Sequence, residues 1–437
     1  MTDDQSRSAE LYERAMQILP GGVSRNTVLR KPHPYYADHA SGCRVTDVDG
    51  VERIDFANNM AALIHGHAHP EIVHAVTSQV EKGTAFTLAT EVEIRFAEHL
   101  RNRNGGFEHL RFVNSGTEAI MAAIKASRAF TGRAKIAKVE GAYHGAYDFA
   151  EVSQTSKPSN WGAIDHPKSV PTAHGTPPSV LSDVIVIPFN DPEHATAILD
   201  EHREELACVL VDLMPHRVGL VPATPGFVSA LRDWTKADGS LLVVDEVITF
   251  RCEYGGAQTW YDLQPDLTAM GKIIGGGFPV GAVAGRADVM SVMDPLADPV
   301  LYPHSGTFSA NPVTMTAGLV AMEMFDREAV ARVNGLAAEA IEGIEDAIRT
   351  TGVDACVTGG GSMFRVHLKE KPPTGYRDAF LGPDESKTLA ILENHLFDAG
   401  LMMINTCSAA ISTPMTEAEI DTLVAAFGIG FRKLPTV

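Results

Sequence analysis

Seven short apolar runs, separated by stretches with helical spacing, constrain the fold of this chain more than any other feature. They lie between His69 and Val320 and read LRFVN, AKIAKV, VIVIPF, CVLVDLM, SLLVVDEV, LTAMG and GAVAG. Runs that are apolar throughout, rather than alternating with polar residues, are typical of strands buried on both faces of a sheet. With the helical stretches between them, they predict an α/β fold in which helices cover both sides of a mostly parallel sheet.

The two ends of the chain predict a second, smaller α/β unit. Near the beginning, GCRVTDVDGVERIDFANN reads as two strands joined at Asp49-Gly50, a dipeptide typical of hairpin turns. Near the end, long helical patterns enclose the apolar run SMFRVHL. We therefore expect a large domain from 69 to 320, and a small domain built from 1–68 and 321–437.

The charge balance excludes two classes of partner. The chain of 437 residues has 55 acidic and 36 basic side chains and a net charge of -19. Nucleic acids and anionic membranes select for Lys and Arg, so we expect neither as a partner. The five cysteines are scattered and form no C-x-x-C pair, and the first residues lack the pattern of a signal peptide. These features indicate a cytoplasmic protein without a structural metal site or disulfide framework.

Reactive residues follow three of the predicted strands, at the edge where α/β sheets bind ligands. After LRFVN, the residues Ser115, Gly116 and Thr117 precede an alanine-rich helix. Hydroxyls and free N–H groups at a helix N-terminus form an anion site, although an ordinary helix cap uses the same residue types.

The other two places hold Asp245 and Lys272. Asp245 ends a buried run, where a carboxylate needs a cationic partner, either a protonated ring nitrogen or a structural ion pair. Lys272 lies between LTAMG and three glycines. A desolvated lysine can attack a carbonyl, whereas a lysine reaching solvent beside a turn is the simpler alternative. Together, a phosphate site, a carboxylate and an amine are the groups that hold pyridoxal 5'-phosphate (PLP).

Several longer motifs extend this interpretation to a family. The chain contains LPGGVSR, DVDGVERIDF, HGHAHPEI, RFVNSGTEA, GAYHG, VVDEVI, PDLTAMGKIIGGGFPVGA and HSGTFSANPVTMTAG. In these motifs it resembles the class III aminotransferases, which are PLP enzymes of fold type I, and in particular their glutamate-1-semialdehyde aminomutase-like branch. The resemblance covers almost the whole chain and implies that the large domain binds PLP.

The resemblance implies roles at the cofactor ring. Lys272 would form the Schiff base, and Asp245 would keep the pyridine nitrogen protonated. Val247 would pack against one face of the ring, while Tyr143 of GAYHG would stack on the other. His144 of the same motif also belongs to the implied cofactor site.

The resemblance also implies how the phosphate is held. Ser115, Gly116 and Thr117 would bind it within one subunit, and Thr307 would reach it from the neighbouring subunit. The expected assembly is therefore a homodimer with shared active sites. The histidines of HGHAHP alternate in a way that could suggest a metal, but the family carries this motif without one.

The substrate side departs from the aminomutase pattern. Aminomutases usually have Glu-Pro where VDLMPHRVGLVP has Asp212-Leu213, and smaller uncharged residues where it has His216-Arg217. These differences weaken the aminomutase interpretation.

LPGGVSRNTVLRKPHPYY looks more like the β-amino-acid transaminases of the same branch. In those enzymes an arginine at the position of Arg25 binds the substrate carboxylate, although an arginine here could equally make a surface ion pair. A second arginine of those relatives is replaced by Thr406, and Arg217 is our candidate for the compensating cation.

The predicted function is amine transfer between two small molecules. An amino acid, with its amine on or off the α-carbon, would donate the amine, and a 2-oxo acid would accept it in a second half-reaction. An aminomutase that moves the amine within one molecule is the alternative, and a racemase or lyase stays open. A non-catalytic PLP-binding protein is disfavoured by the presence of Lys272, Asp245 and Tyr143.

Overall fold

The computed structural model describes residues 6–435. Its strands are β1 (Ala37–Ser41), β2 (Arg44–Asp47), β3 (Glu52–Asp55), β4 (His109–Val113), β5 (Lys135–Val139), β6 (Gly162–Ala163), β7 (His166–Pro167), β8 (Val184–Ile187), β9 (Leu206–Asp212), β10 (Leu241–Asp245), β11 (Leu267–Gly271), β12 (Gly281–Gly285), β13 (Cys356–Gly360), β14 (Met363–His367), β15 (Leu401–Met402) and β16 (Ser408–Ala410).

Helices connect and cover these strands. They are α1 (Arg7–Met16), α2 (Asn58–Ala61), α3 (Pro70–Val80), α4 (Glu91–Arg103), α5 (Gly116–Thr131), α6 (Asp148–Glu151), α7 (Pro178–Ser182), α8 (Pro192–Asp200), α9 (Pro225–Asp238), α10 (Ala287–Met290), α11 (Pro312–Met324), α12 (Arg327–Thr351), α13 (Tyr376–Ala379), α14 (Pro383–Asp398) and α15 (Glu417–Phe431). The short α2 is unusual because its residues have positive φ angles and therefore a left-handed backbone.

The central sheet contains all seven apolar runs, in the strand order β4-β12-β11-β10-β9-β5-β8. Every residue of β9, β10, β11 and β12 is buried, as continuous apolar runs predict. Neighbouring strands are parallel except at β12, which is antiparallel to both β11 and β4. The predicted mostly parallel α/β sheet is thus confirmed.

The antiparallel direction of β12 follows from the length of its connection. Only residues 272–280 join β11 to β12. A parallel crossover needs a dozen or more residues, so this segment can only turn the chain back on itself. As a result, Lys272 lies in a tight turn at the edge of the sheet rather than inside a crossover helix.

Helix α5 packs closely on the sheet because its inner face is small. Buried alanines line that face, namely Ala119, Ala122, Ala123 and Ala126. The helix begins at the N-cap Ser115 and ends at Gly132, whose φ of 70° permits the left-handed C-cap. Its N-terminus therefore points to the same sheet edge as the ends of β10 and β11.

The beginning and the end of the chain meet in one smaller sheet, and a second small sheet is formed by strands near the end alone. One has the order β1-β2-β3-β15, with β15 parallel to β3, and the other has the order β13-β14-β16. The hairpin predicted at Asp49-Gly50 is confirmed by the antiparallel pairing of β2 with β3. The domain limits at 69 and 320 stay a prediction, and residues 1–5 and 436–437 lie outside the described part.

No helix within residues 6–435 combines the length and the apolar character needed to cross a bilayer.

Candidate active site

Three adjacent strands bring ionisable side chains to one edge of the central sheet. Asp245 at the end of β10 lies directly beside Asp212 at the end of β9, and beside Ala269 on β11. Lys272 follows the last residue of β11. The edge therefore combines two carboxyl groups and one amine, as expected for the carboxyl ends of parallel strands.

Lys272 has the environment of a reactive amine. Its side chain keeps some accessible surface, yet burial lowers the pKa of the ammonium group, and the nearby Asp245 and Asp212 oppose this shift. Its φ of 49° is unusual for a residue with a side chain. Backbone strain of this kind tends to persist where the surrounding structure fixes a side chain for function.

Both carboxylate oxygens of Asp245 accept hydrogen bonds. The backbone N–H of Val247 donates to Oδ1 at 2.9 Å, and His144 Nδ1 donates to Oδ2 at 2.7 Å. His144 is fully buried, and burial lowers the pKa of its imidazole despite the carboxylate beside it. Its Nε2 is buried without a hydrogen-bond partner.

The predicted phosphate site is a tightly packed helix N-terminus. Ser115 Oγ accepts from the N–H of Glu118 at 3.1 Å, so the ordinary cap is also present. A Cβ on Gly116 would lie 2.8 Å from Val247 Cγ1, which explains why glycine occupies that position. Thr117 lies against Gly145, the last residue of GAYHG. The structure thus brings Ser115, Gly116 and Thr117 together with Val247 and the histidine motif.

Tyr143 and Arg217 lie together at the surface. The guanidinium carbon of Arg217 is 5.1 Å from the centre of the Tyr143 ring, a cation–π geometry. Arg217 also donates to the carbonyl of Gln154 at 3.3 Å. Both side chains are exposed, so they lie at the rim of the site.

Arg25 and Thr307 are both exposed side chains. Arg25 is exposed, donates to Asn59 Oδ1 at 2.7 Å, and lines a cavity of about 740 Å³. The cavity lies between the first sixty residues and the glycine turn at Gly276, and Lys272 is not among its lining residues. Thr307 is exposed in the segment that precedes α11.

Sequence reasoning did not identify the carboxyl neighbours of Asp245 as part of the site. Burial and the charge of Asp245 raise the pKa of Asp212 well above its usual value, which favours the uncharged form of this carboxyl group. Burial raises the pKa of Glu246 to about 7, while the backbone N–H groups of Ala257 and Gln258 oppose the shift. In the sequence, the only indication of their role was their position at the carboxyl end of an apolar run.

Two of the three alternating histidines, His65 and His67, have hydrogen-bond partners within the protein. His65 contacts Thr413 Oγ1 and the carbonyl of Ala321, and His67 Nε2 donates to Asp55 Oδ2 at 2.8 Å. Within residues 6–435, no group of three or more His, Cys, Asp or Glu side chains is arranged for a metal ion.

The residues at the sheet edge fit PLP. Free N–H groups at the start of α5 suit a phosphate, and the space above Gly116 is limited by Val247. Asp245 can face a protonated ring nitrogen, and the unpaired His144 Nε2 can face a further polar group. Lys272 supplies an amine with a lowered pKa for the aldehyde. Fold and site together define a PLP-dependent enzyme.

Comparison with known proteins identifies the family. The model of the class III aminotransferases matches residues 27–424, so the chain belongs to that family. Enzymes of this family use PLP, which is therefore the cofactor of this chain.

Three relatives illustrate the range within the family. A glutamate-1-semialdehyde 2,1-aminomutase from Methanothermobacter thermautotrophicus is 38% identical over 374 residues, which is 85% of this chain and 86% of the relative. An omega-transaminase from Sphaerobacter thermophilus is 47% identical, covers 98% of both chains and has a TM-score of 0.96. A beta-phenylalanine aminotransferase from Variovorax paradoxus is 33% identical, with coverage of 97% and 93% and a TM-score of 0.85. The fold type I assignment is thereby confirmed.

Proposed function

We propose that this enzyme transfers an amino group between two different molecules, an amino acid donor and a 2-oxo acid acceptor. The 47% identity with an omega-transaminase, over 98% of both chains, is the observation that carries this proposal. The beta-phenylalanine aminotransferase supports donors whose amine lies on the β-carbon. The change at Asp212-Leu213, relative to the aminomutase pattern, points in the same direction, whereas Thr406 in place of the second arginine of the β-amino-acid transaminases implies an altered grip on the substrate carboxylate.

Bound PLP supplies an electron sink that stabilises negative charge on the substrate carbon. The N-terminus of α5 would orient the cofactor through its phosphate, with Ser115, Gly116 and Thr117 in contact. Asp245, held by His144 and the N–H of Val247, would keep the ring nitrogen protonated. His144 fixes the orientation of that carboxylate, because its Nδ1 hydrogen bond occupies the second oxygen.

Lys272 would both anchor the cofactor and move protons. Burial lowers the pKa of its amine, so the neutral form needed to accept a proton is populated closer to neutral pH. With substrate bound, Lys272 Nζ would be free to take a proton from the substrate carbon, and the resulting ammonium group could donate that proton again.

Arg25 is proposed to bind the substrate carboxylate at the rim. Its guanidinium has the planar fork that pairs with a carboxylate, and Asn59 Oδ1 holds one nitrogen at 2.7 Å. Arg217, stacked on Tyr143, is the second candidate cation. If Arg25 binds a carboxylate, Arg25→Ala should weaken amino acids more than amines without a carboxylate. Equal weakening of both would contradict this role.

Reductive labelling tests the central assignment. We expect the protein to be yellow with PLP, and borohydride to fix the cofactor on Lys272. Lys272→Ala should abolish this covalent link, whereas Lys387→Ala, at an exposed lysine, should leave it intact. Labelling of any other lysine would contradict the proposed role of Lys272.

Intramolecular amine transfer is a second candidate function, because the curated relatives at 35–39% identity carry the aminomutase name. The names of these relatives favour it over transfer between two molecules. The two candidates differ in their need for an acceptor. Steady turnover of an amino aldehyde without any 2-oxo acid would establish the aminomutase, whereas strict dependence on an added 2-oxo acid would establish the transaminase.

We also propose a homodimer in which Thr307 reaches the phosphate of the other subunit. The exposure of Thr307 in the isolated chain supports this. Thr307→Glu and Lys272→Ala should each be inactive. When the two variants are mixed and exchange subunits, the hybrid dimer should regain activity, because one of its two sites contains both native residues. A mixture without activity would contradict shared sites.

A further inference from the structure

His216 lies where two separate parts of the chain meet beside the proposed cofactor site. It follows β9 by four residues, at the sheet edge that Asp212 and Asp245 share. Its Nε2 lies 3.1 Å from Ser408 Oγ and 3.3 Å from Thr406 Oγ1, and these two hydroxyl oxygens are 2.9 Å apart. We call this set the His216 triangle.

Hydrogen bonds made by side chains of β14 and α14 hold the triangle in place. Arg365 on β14 pairs with Ser408 on β16, and its guanidinium donates to the carbonyl of His216 at 3.2 Å. Glu393 Oε1 accepts from the backbone N–H of Thr406 at 2.5 Å and of Cys407 at 3.2 Å. These bonds fix a turn whose residues have φ angles of 140° and 52°, which is strained for side chains other than glycine.

The imidazole of His216 is neutral at physiological pH. Burial, with the positive charges of Arg365, Lys272 and Arg217 nearby, lowers its pKa to about 3. A neutral imidazole carries one proton, either on Nε2 or on Nδ1.

The hydroxyl groups decide which nitrogen carries the proton. If Nε2 is an acceptor, one hydroxyl group donates to Nε2 and the second hydroxyl group donates to the oxygen of the first. Both hydroxyl protons then take part in hydrogen bonds. If Nε2 donates, one of the two hydroxyl protons has no acceptor inside the triangle, and Ser408 Oγ and Thr406 Oγ1 have no further partner among residues 6–435. The proton therefore belongs on Nδ1, and Nδ1 has no hydrogen-bond partner among residues 6–435.

We propose that His216 determines substrate specificity by donating a hydrogen bond from Nδ1 to an uncharged oxygen of the substrate, such as a carbonyl or carboxamide oxygen. Arg365 is buried and its guanidinium donates to the carbonyl of His216. The Nδ1 donor is itself neutral, so it suits an uncharged oxygen better than a carboxylate. The inference rests on the proposed amine transfer and adds the chemistry of a second substrate group, distinct from the carboxylate assigned to Arg25.

Two substitutions separate this role from a purely structural one. Asparagine places an N–H donor near the position of Nδ1, whereas glutamine reaches the position of Nε2. If Nδ1 recognises the substrate, His216→Asn should keep the selectivity and His216→Gln should lose it. If His216 only holds Thr406 and Ser408, the order of the two variants should be reversed.

The assay compares three amino donors of matched size, ending in a carboxamide, an isopropyl group or a carboxylate. We expect the wild type to prefer the carboxamide, and His216→Gln to raise its KM about five- to tenfold with kcat changed less than twofold. The KM of the isopropyl donor should stay constant. An unchanged carboxamide-to-isopropyl ratio in His216→Gln, or a wild-type preference for the carboxylate, would overturn the inference. Failure of the wild type to transfer an amine from any donor would instead overturn the proposed function.

Discussion

The close contact between Gly281 and Ser115 makes Gly281→Ala a sensitive test of the proposed phosphate site. A Cβ on Gly281 would lie 2.0 Å from the carbonyl oxygen of Ser115 and 2.7 Å from Val113 Cγ2. Because such contacts are essentially never closer than 3.0 Å, the Ser115 carbonyl has to move by about 1 Å. Ser115 is the N-cap of α5, so the shift displaces the N–H groups assigned to the phosphate.

Two quantities should change together in Gly281→Ala. Overpacking at this level costs about 2–3 kcal/mol, which should lower the urea midpoint of unfolding. Loss of one charge-assisted hydrogen bond to the phosphate costs a further ~1.5 kcal/mol of binding free energy, so the Kd for PLP should rise about tenfold. We would measure the midpoint by circular dichroism and the Kd by titrating cofactor-free enzyme with PLP.

Gly335→Ala is the matched control. Gly335 lies inside α12, and a Cβ there meets nothing within 4 Å. This substitution should stabilise the protein by about 0.5–1 kcal/mol and leave the PLP affinity unchanged. A normal Kd for PLP in Gly281→Ala, despite a lower urea midpoint, would refute the assignment of the phosphate to this helix N-terminus.

Three further predictions concern charge and capping. Asp212→Asn should keep kcat within about threefold, because burial raises the pKa of the native carboxyl group and favours its uncharged form, whereas Asp245→Asn should lose about a hundredfold or more in steady-state assays. The free energy of unfolding of the wild type, relative to that of Lys138→Met, should rise from pH 7 to 10 in urea titrations. The reason is that burial lowers the Lys138 pKa from 10.5 to about 7, so the unfolded state binds more protons in that window. Asp326→Ala should cost about 1 kcal/mol in urea unfolding, because Asp326 caps α12 through the N–H of Ala329, while Asp326→Asn should be nearly neutral.

Local patterns in the sequence were sufficient to predict the strands, their burial and the positions of the cofactor motifs. A continuous apolar run has one stable environment, a strand covered on both faces, and this prediction needs no knowledge of distant residues. The antiparallel direction of β12 required the length of the connection 272–280, which could have been read from the sequence once the strand ends were known.

Contacts between distant segments could not be predicted in this way. His216 and Ser408 are 192 residues apart, and their contact depends on how β16 packs against the loop after β9. The sequence also pointed to Arg217 as the cation of the pocket, because its charge is visible in the sequence. Its neighbour His216, which is neutral, is instead partly buried in the triangle. The direction of each of these two side chains follows from tertiary packing alone.

The buried groups of the site are arranged so that few of them carry charge. Burial raises the pKa of the Asp212 carboxyl and lowers that of the Lys272 amine and the His216 imidazole, so each is shifted toward its neutral form. Asp245 differs because both of its oxygens accept hydrogen bonds, from His144 and from the N–H of Val247. The site therefore places this carboxyl group among neighbours shifted toward their neutral forms, an arrangement that a cationic ring nitrogen would complete. In the proposed function, the exposed Arg25 would bind charged groups at the rim, where water stabilises ions, and the interior would recognise uncharged ones.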